Sequence, residues 1–311
     1  MFVFGIDIGG TNVKLGLFND KLELVDNWLI PTNPSSLFEE IALNIKEYCA
    51  NKNISFDQVL GYGIGIPGLV RDGIALNCVN LNWKNVNVVE EFKKAIGYDA
   101  LVVVANDANL AAYGEYSLYK GKYRQIILIT IGTGVGGGVI TNGEIIEGAN
   151  GLSGELGHIR IDNDYKYQCC CGKIGCLETI ASATGILRLA NRFAEAETKN
   201  PNTYSSTKEV IDLAKQNDKN ALKAFHIACH NIAKALAMIS VTLNPDAFVI
   251  GGGVSAAGEF LVNTIKEYYL LECFEGAKEI DILLSKLRND AGITGGAALI
   301  MKRGEKKNGK C

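Results

Sequence analysis

The segment "QIILITIGTGVGGGVITNG", residues 125–143, decides the fold, because it returns to a pattern present at the N-terminus. At residues 2–18 the runs "FVFGIDI", "GGTN" and "VKLGLF" alternate apolar residues around a glycine turn, which reads as strand, tight loop and returning strand. A third strand, "LELVDNWLI", follows. Two such units so far apart predict an internal duplication, with two related domains facing each other.

Working outward, "SSLFEEIALNIKEYCANKN" places Leu37, Ile41, Ile45 and Cys49 at helical spacing behind a serine cap. A buried strand "VLGYGIGIP", a helix "VVEEFKKAIG" closed by glycine and a second buried strand "ALVVVAND" come next. After the repeat, helical patterns at "LETIASATGILRLANRF", "TKEVIDLAKQ" and "NALKAFHIACHNIAKALAMISVTL" lead to a strand "AFVI" and the loop "GGGVS". A helix, a strand "EIDILLS" and a last helix from about Ala291 complete the chain, and "KRGEKKNGKC", residues 302–311, reads as a frayed, solvated tail. Strands alternating with helices make the class α/β. The first domain is expected over 1–118, with the helix at about 291–303 packing back on it, and the second over 119–290.

With 311 residues, nearly half of them apolar, the chain can bury a large core. The net charge of −3 and the scattered Lys and Arg residues disfavour nucleic acid and anionic membrane as partners. "MFVFGIDIGG" has no basic leader region, and no segment approaches the length of a membrane span, so a cytoplasmic location is expected. In that reducing compartment the nine cysteines read as metal ligands or core residues rather than disulfides. Cys49, Cys78, Cys229 and Cys273, each alone in an apolar run, read as core.

The glycines are informative by position. No G-x-x-x-x-G-K-[ST] sequence occurs, and the two G-x-G-x-x-G matches, Gly63 to Gly68 and Gly132 to Gly137, do not open a helix, so neither a P-loop nor a dinucleotide fingerprint is present. Instead, each strand-loop-strand turn can offer consecutive N–H groups to an anion. A polyphosphate would lie between Gly9, Gly10, Thr11 and Asn12 on one side and Gly132, Thr133, Gly134, Val135, Gly136, Gly137 and Gly138 on the other. A third turn, Gly251, Gly252, Gly253, Val254 and Ser255, could receive an adenosine. Asp7, beside the first loop, reads either as a Mg²⁺ ligand or as an N–H acceptor that ties down the turn. Asp107 ends a buried strand and reads either as a base for a hydroxyl attacking a γ-phosphate or as the N-cap of "ANLAAYGEY".

Four cysteines crowd "CCCGKIGC", residues 169–176, with ten residues between His158 and Cys169. One imidazole and three thiolates make a closed tetrahedral zinc site, with no position left for water, so the metal would be structural. Residues two apart in an extended segment point the same way, which favours Cys169 with Cys171 over pairs using Cys170. A redox reading lacks an isolated C-x-x-C on a thioredoxin-like unit. Such a clasp would gather Glu155, His158 and Glu178 into a polar cluster suited to a polyol or sugar, or would leave them as mere support for the metal.

"DIGGTNVKLG", "GIGIPG", "NDAN", "TIGTGVGGG", "GELGH", "CxCGKIGCLE" and "GGGVS", in this order and across essentially the whole chain, resemble the ROK family of bacterial sugar kinases and repressors. The resemblance implies the actin-like ATPase (ribonuclease H-like) fold, with two duplicated domains around a central cleft, and a homodimer. It implies phosphorylation of a hexose by ATP with Mg²⁺, most nearly as in glucokinases, with N-acetylmannosamine, N-acetylglucosamine and fructose as alternatives. By it, Asp107 is the base that takes the proton of the sugar 6-hydroxyl, and Asn106, Glu155, His158 and Glu178, with Gly68 and Asn82, contact the sugar. The zinc ligands become His158, Cys169, Cys171 and Cys176; Lys14 and the first two loops serve phosphate, and residues 251–255 serve adenosine. Two departures stand out: "NLNWKN" replaces a Pro-Gly before the tryptophan of the sugar loop, and Cys170 is extra. A repressor would need a helix-turn-helix ahead of the first loop, where six residues precede Asp7. A polymerising filament would have no use for a metal-clamped polar cluster.

Overall fold

The structure is a computed structural model that describes residues 1–162, 164–198 and 203–307. In chain order, β1 (Phe2–Ile8), β2 (Asn12–Asn19) and β3 (Leu24–Pro31) precede α1 (Leu37–Asn51) and β4 (Val59–Ile66). A small antiparallel sheet of β5 (Leu69–Arg71), β6 (Ile74–Cys78) and β7 (Trp83–Asn87) leads to α2 (Val88–Ile96), β8 (Val102–Asn106) and α3 (Asp107–Ser117). Then come β9 (Gln125–Ile131), β10 (Val135–Thr141) and β11 (Glu144–Ile145), followed by α4 (Glu178–Ala181), α5 (Ala183–Thr198), α6 (Thr207–Lys215) and α7 (Lys219–Leu243). The chain closes with β12 (Ala247–Gly251), α8 (Glu259–Glu272), β13 (Asp281–Leu284) and α9 (Ala291–Lys307).

The first large sheet has the order β3-β2-β1-β4-β8, with β1, β4 and β8 parallel and β2 and β3 antiparallel to their neighbours. The second has the order β11-β10-β9-β12-β13, with β9, β12 and β13 parallel and β10 and β11 antiparallel. The same plan appears twice, which is the duplication that the repeated strand, glycine loop and strand predicts.

Packing divides the chain into two compact units: Met1–Lys120 with Gly138–Ser153 and the chain from Asn289 onward, and Gly121–Gly137 with Gly154–Arg288. An undivided second domain over 119–290 therefore needs correcting at 138–153. The bare backbone of Gly138 sits on Ala112 and the Ala108 carbonyl, and this draws the segment to the first unit.

In the first unit α9 lies on α3, β1 and β4 at a distance only glycine permits. A methyl group on Gly63 would land on the backbone of Gly296, and one on Gly5 on the carbonyl of Ile293. Gly63 of "GYGIGIPG" thus serves helix-to-sheet contact. Phe4, Ile6, Tyr62, Ile64 and Phe92 fill the core beside them, with Phe4 stacked on Tyr62 at 5.5 Å.

Several local expectations change. Ser36 stands at the N-cap of α1 without capping it; its hydroxyl donates to the Glu40 carboxylate at 2.5 Å. Cys49, Cys78 and Cys229 are buried, but Cys273, just past α8, is only partly so. Contrary to the expectation that no segment approaches a membrane span, α7 is long and apolar enough by length and composition. Its alanines and branched residues pack inward, leaving 61% of its most apolar stretch buried in the protein. The helix α9 continues to Lys307, so residues 302–307 are not frayed coil, and residues 308–311 of that tail lie outside the described residues.

Candidate functional site

In the first unit, Asp7 is the penultimate residue of β1, opposite Lys14 in β2 and Gly65 in β4. Asp107 opens α3 directly after β8. Gly292 makes room for Asp7, since a methyl group there would sit 2.6 Å from Asp7 Oδ2, and Gly65 lies between the two acids, where a methyl would sit 3.3 Å from Asp7 Oδ1 and 3.6 Å from Asp107 Cα. Burial pushes the Asp7 carboxyl up to about 7; Asp107 adds repulsion and Lys14 opposes it. The Lys14 ammonium is itself held by Asp290 Oδ1 at 2.5 Å and the Asn289 carbonyl at 3.1 Å. The desolvated Asp7 carboxyl and the half-buried Asp107 beside it form a place where a hard divalent cation would relieve the repulsion.

Asn106, not Asp107, caps α3: its Oδ1 accepts from the Asn109 N–H at 3.1 Å. Its Nδ2 donates to the Gly68 carbonyl at 3.0 Å, so two of the expected sugar contacts are bonded to each other. The N-cap alternative for Asp107 is removed, although its Oδ1 accepts the following N–H, that of Ala108, at 2.8 Å. Asn82 ends a 3-10 turn, Val79–Leu81, in the left-handed region at φ 55°. Gly9, Gly10 and Thr11 form the turn between β1 and β2, and Asn12 begins β2. Thr32 fixes this turn by donating to the carbonyls of Thr11 and Gly9.

In the second unit, Gly132, Thr133 and Gly134 join β9 to β10. The carbonyls of Gly132 and Thr133 accept from Ala183 N–H at 2.8 Å and Thr184 Oγ1 at 3.0 Å. Val135, Gly136, Gly137 and Gly138 lie inside β10, and Gly137 is pressed against Leu156. The buried Gly137 and Gly138 therefore serve close packing, and the loop itself shortens to 132–134. Gly251 ends β12, and Gly252, at φ 81°, has no room for a side chain beside the Ile131 backbone. A 3-10 turn, Gly253–Ala257, then intervenes before α8, with Ser255 Oγ bonded to the Gly252 carbonyl at 2.7 Å.

A pocket of about 550 Å³ opens where Gly132, Thr133, Gly253 and Val254 meet Thr207 and Ile211 of α6. That volume is in the range of small-ligand sites. The α6 wall was not marked in the sequence: its cap and periodicity announce a helix, but nothing in them announces a ligand.

His158, at the end of the 3-10 turn Leu156–His158, meets Cys169, Cys171 and Cys176 with all four ligand atoms within 4.8 Å of one another. His158 Nδ1 is 3.5 Å from Cys169 Sγ, and Cys171 Sγ is 3.7 Å from Cys176 Sγ. Around a tetrahedral cation, metal–sulfur bonds of about 2.3 Å and a metal–nitrogen bond of about 2.0 Å give separations of about 3.5 and 3.8 Å. The donor set therefore fits one ion. Burial pushes the Cys176 thiol up to about 12, so a cation is what would ionise it at neutral pH.

Around this cluster, His158 Nε2 stands 3.9 Å from Glu155 Oε2. Glu178, the first residue of α4, accepts from the Val135 N–H at 3.2 Å through Oε2, and its Oε1 lies 3.8 Å from Cys169 Sγ. One carboxylate so joins the cysteine cluster to the end of the glycine loop.

The family model described as "ROK family" matches residues 3–303. A glucokinase of Halalkalibacterium halodurans is 35% identical over 96% of this chain and 94% of its own. An N-acetylmannosamine kinase of Escherichia coli is 31% identical over 98% of this chain and 100% of its own. Among solved structures, a ROK family glucokinase from Streptomyces griseus, in complex with glucose and AMPPNP, superposes with a TM-score of 0.77 at 29% identity, covering 96% of this chain and 99% of that one.

Proposed function

As the chain belongs to the ROK family, we propose that it transfers the γ-phosphoryl group of ATP to the 6-hydroxyl of a hexose, with glucose as the first choice of acceptor. The observation that carries this reading is Glu178. It is tied at once to the Val135 N–H beside the glycine loop and to the cysteine cluster, so the group offered to a sugar and the group offered to phosphate are built on one framework.

In this reading Asp107 accepts the proton of the attacking hydroxyl, a contribution of about 10²–10⁴-fold in rate. Asn106 positions it by capping α3 and bracing Gly68. Glu155, His158 and Glu178, with Asn82 and the Gly68 region, bind sugar hydroxyls. The N–H groups of Gly9 to Asn12 and Gly132 to Gly134 serve the phosphates. The pocket walled by α6 and Gly253–Val254 takes the nucleoside. Mg²⁺ entering with ATP would offset the phosphate charge, with Asp7 holding it directly or through water. Zn²⁺ is the ion suited to His158, Cys169, Cys171 and Cys176, and in a closed site it is structural. We also read the chain as a cytoplasmic homodimer.

N-acetylmannosamine is the second reading, supported by the 31% identical Escherichia coli kinase. Purified protein with Mg·ATP, assayed on glucose, N-acetylmannosamine, N-acetylglucosamine and fructose, decides between them. The reading requires glucose to give the highest kcat/KM; preference for N-acetylmannosamine moves the assignment to the second, and a folded, zinc-loaded protein inert on all four sinks the kinase reading for this panel.

A further inference from the structure

Cys170 is left outside the His158 cluster, yet it is not idle. Its Sγ stands 3.9 Å from Cys169 Sγ and 3.6 Å from Glu178 Oε1, and Cys169 Sγ is 3.8 Å from that same oxygen. A tetrahedral ion with metal–sulfur bonds of about 2.3 Å and a metal–oxygen bond of about 2.1 Å needs sulfur–sulfur and sulfur–oxygen separations of about 3.8 and 3.6 Å. All three observed separations fall near those values, and the three ligand atoms lie within 4.8 Å of one another. The group also lines a solvent-open pocket of about 300 Å³ together with Thr133, Gly134 and Arg188, which gives an ion a path in and room for water at the fourth position.

We propose that Cys170, Cys169 and Glu178 form a second binding site, for a soft divalent cation such as Zn²⁺ or Cd²⁺, and that filling it inhibits the enzyme. Cys169 is the shared ligand: its Sγ lies 3.5 Å from His158 Nδ1, 3.9 Å from Cys170 Sγ and 3.8 Å from Glu178 Oε1. Binding of the second ion releases the Cys170 thiol proton to solvent, and the bond forms from the resulting thiolate with no change of oxidation state. An open coordination position distinguishes this site from the closed one beside it. The open site exchanges its ion with solution and senses the concentration of free metal, whereas the closed one holds its ion as part of the fold. Occupation takes Oε1 of Glu178 out of use for a sugar hydroxyl; this consequence rests on the sugar-contact role given to Glu178 above, while the metal site itself does not.

The test uses the full chain carrying one zinc and a Cys170→Ser variant, titrated with Zn²⁺ and separately with Cd²⁺. Bound metal is read by elemental analysis after equilibrium dialysis against buffer of fixed free metal, and the thiolate–cadmium charge-transfer band is followed in parallel. Expected are two ions per wild-type chain and one per variant chain, and a rise in sugar KM with excess zinc in the wild type only. The variant should lose second-site affinity by more than about 100-fold, beyond what outer-shell changes cost, with unaltered activity in metal-limited buffer. One ion per wild-type chain in excess metal, or two per variant chain, overturns the site. Two ions bound with sugar KM unmoved overturns the inhibitory half of the proposal, and with it the placing of Glu178 at the sugar.

Discussion

At the residue scale the first unit turns on two neighbouring carboxyl groups, Asp7 and Asp107. The Asp7 carboxyl, raised to about 7 from an ordinary value near 3.8, stays protonated in the fold over a range where the unfolded chain has already ionised. The folded state then binds the extra proton, so its stability is greatest below about pH 4 as far as this group is concerned, and is lost as pH rises through about 7. Asp7→Asn removes that loss. The variant is expected to melt a few degrees above the wild type at pH 8, with the difference vanishing towards pH 4, in differential scanning calorimetry of nucleotide-free protein; a gap independent of pH would contradict the assignment. The same variant should bind Mg·ATP more weakly. Glu178→Gln keeps the shape of the Val135 contact and removes the charge, so sugar KM should rise by about 10-fold, the cost of weakening one charge-assisted hydrogen bond, with zinc content unchanged.

At the scale of elements, glycine was the residue most easily misread. Its concentration in "GYGIGIPG" and "GTGVGGG" shows that backbone comes close to something, but sequence alone does not say whether that is a phosphate or a helix. Gly63 meets Gly296, and Gly137 meets Leu156, so part of each run is packing. Gly296→Ala should cost about 2 kcal/mol or more by overpacking α9 against β4, read as a lower denaturant midpoint with unchanged slope. The strands and most helices were legible because their apolar periods are long and clean. The turning of Ser36 away from its cap towards Glu40, the 3-10 turn after Gly252 and the α6 wall of the pocket beside Gly253 were not, because each depends on where a side chain or a neighbouring element ends up in space. The clustering of His158 with Cys169, Cys171 and Cys176 was legible, since residue type and alternation carry that information. Cys176→Ser should release the ion and raise hydrogen exchange between residues 156 and 181, while β1, β4 and β8 keep their protection; equal protection across the clasp in both proteins would argue that no metal organises it.

At the scale of the whole molecule, one strand plan is used twice, and each copy contributes a glycine turn between its first two strands. The match to the ROK family over residues 3–303 joins that plan to a chemistry. What the chain-wide likeness does not supply is the acceptor, because a single hydroxyl or acetamido contact separates the candidate hexoses. The central claim, phosphoryl transfer with Asp107 as base, is tested most directly by following glucose 6-phosphate formation from Mg·ATP by the wild type and Asp107→Asn side by side, with zinc content and circular dichroism matched. The account predicts turnover by the wild type and a loss of about 10²–10⁴-fold in kcat for the variant, with sugar and nucleotide binding retained. A variant that turns over at the wild-type rate would contradict it.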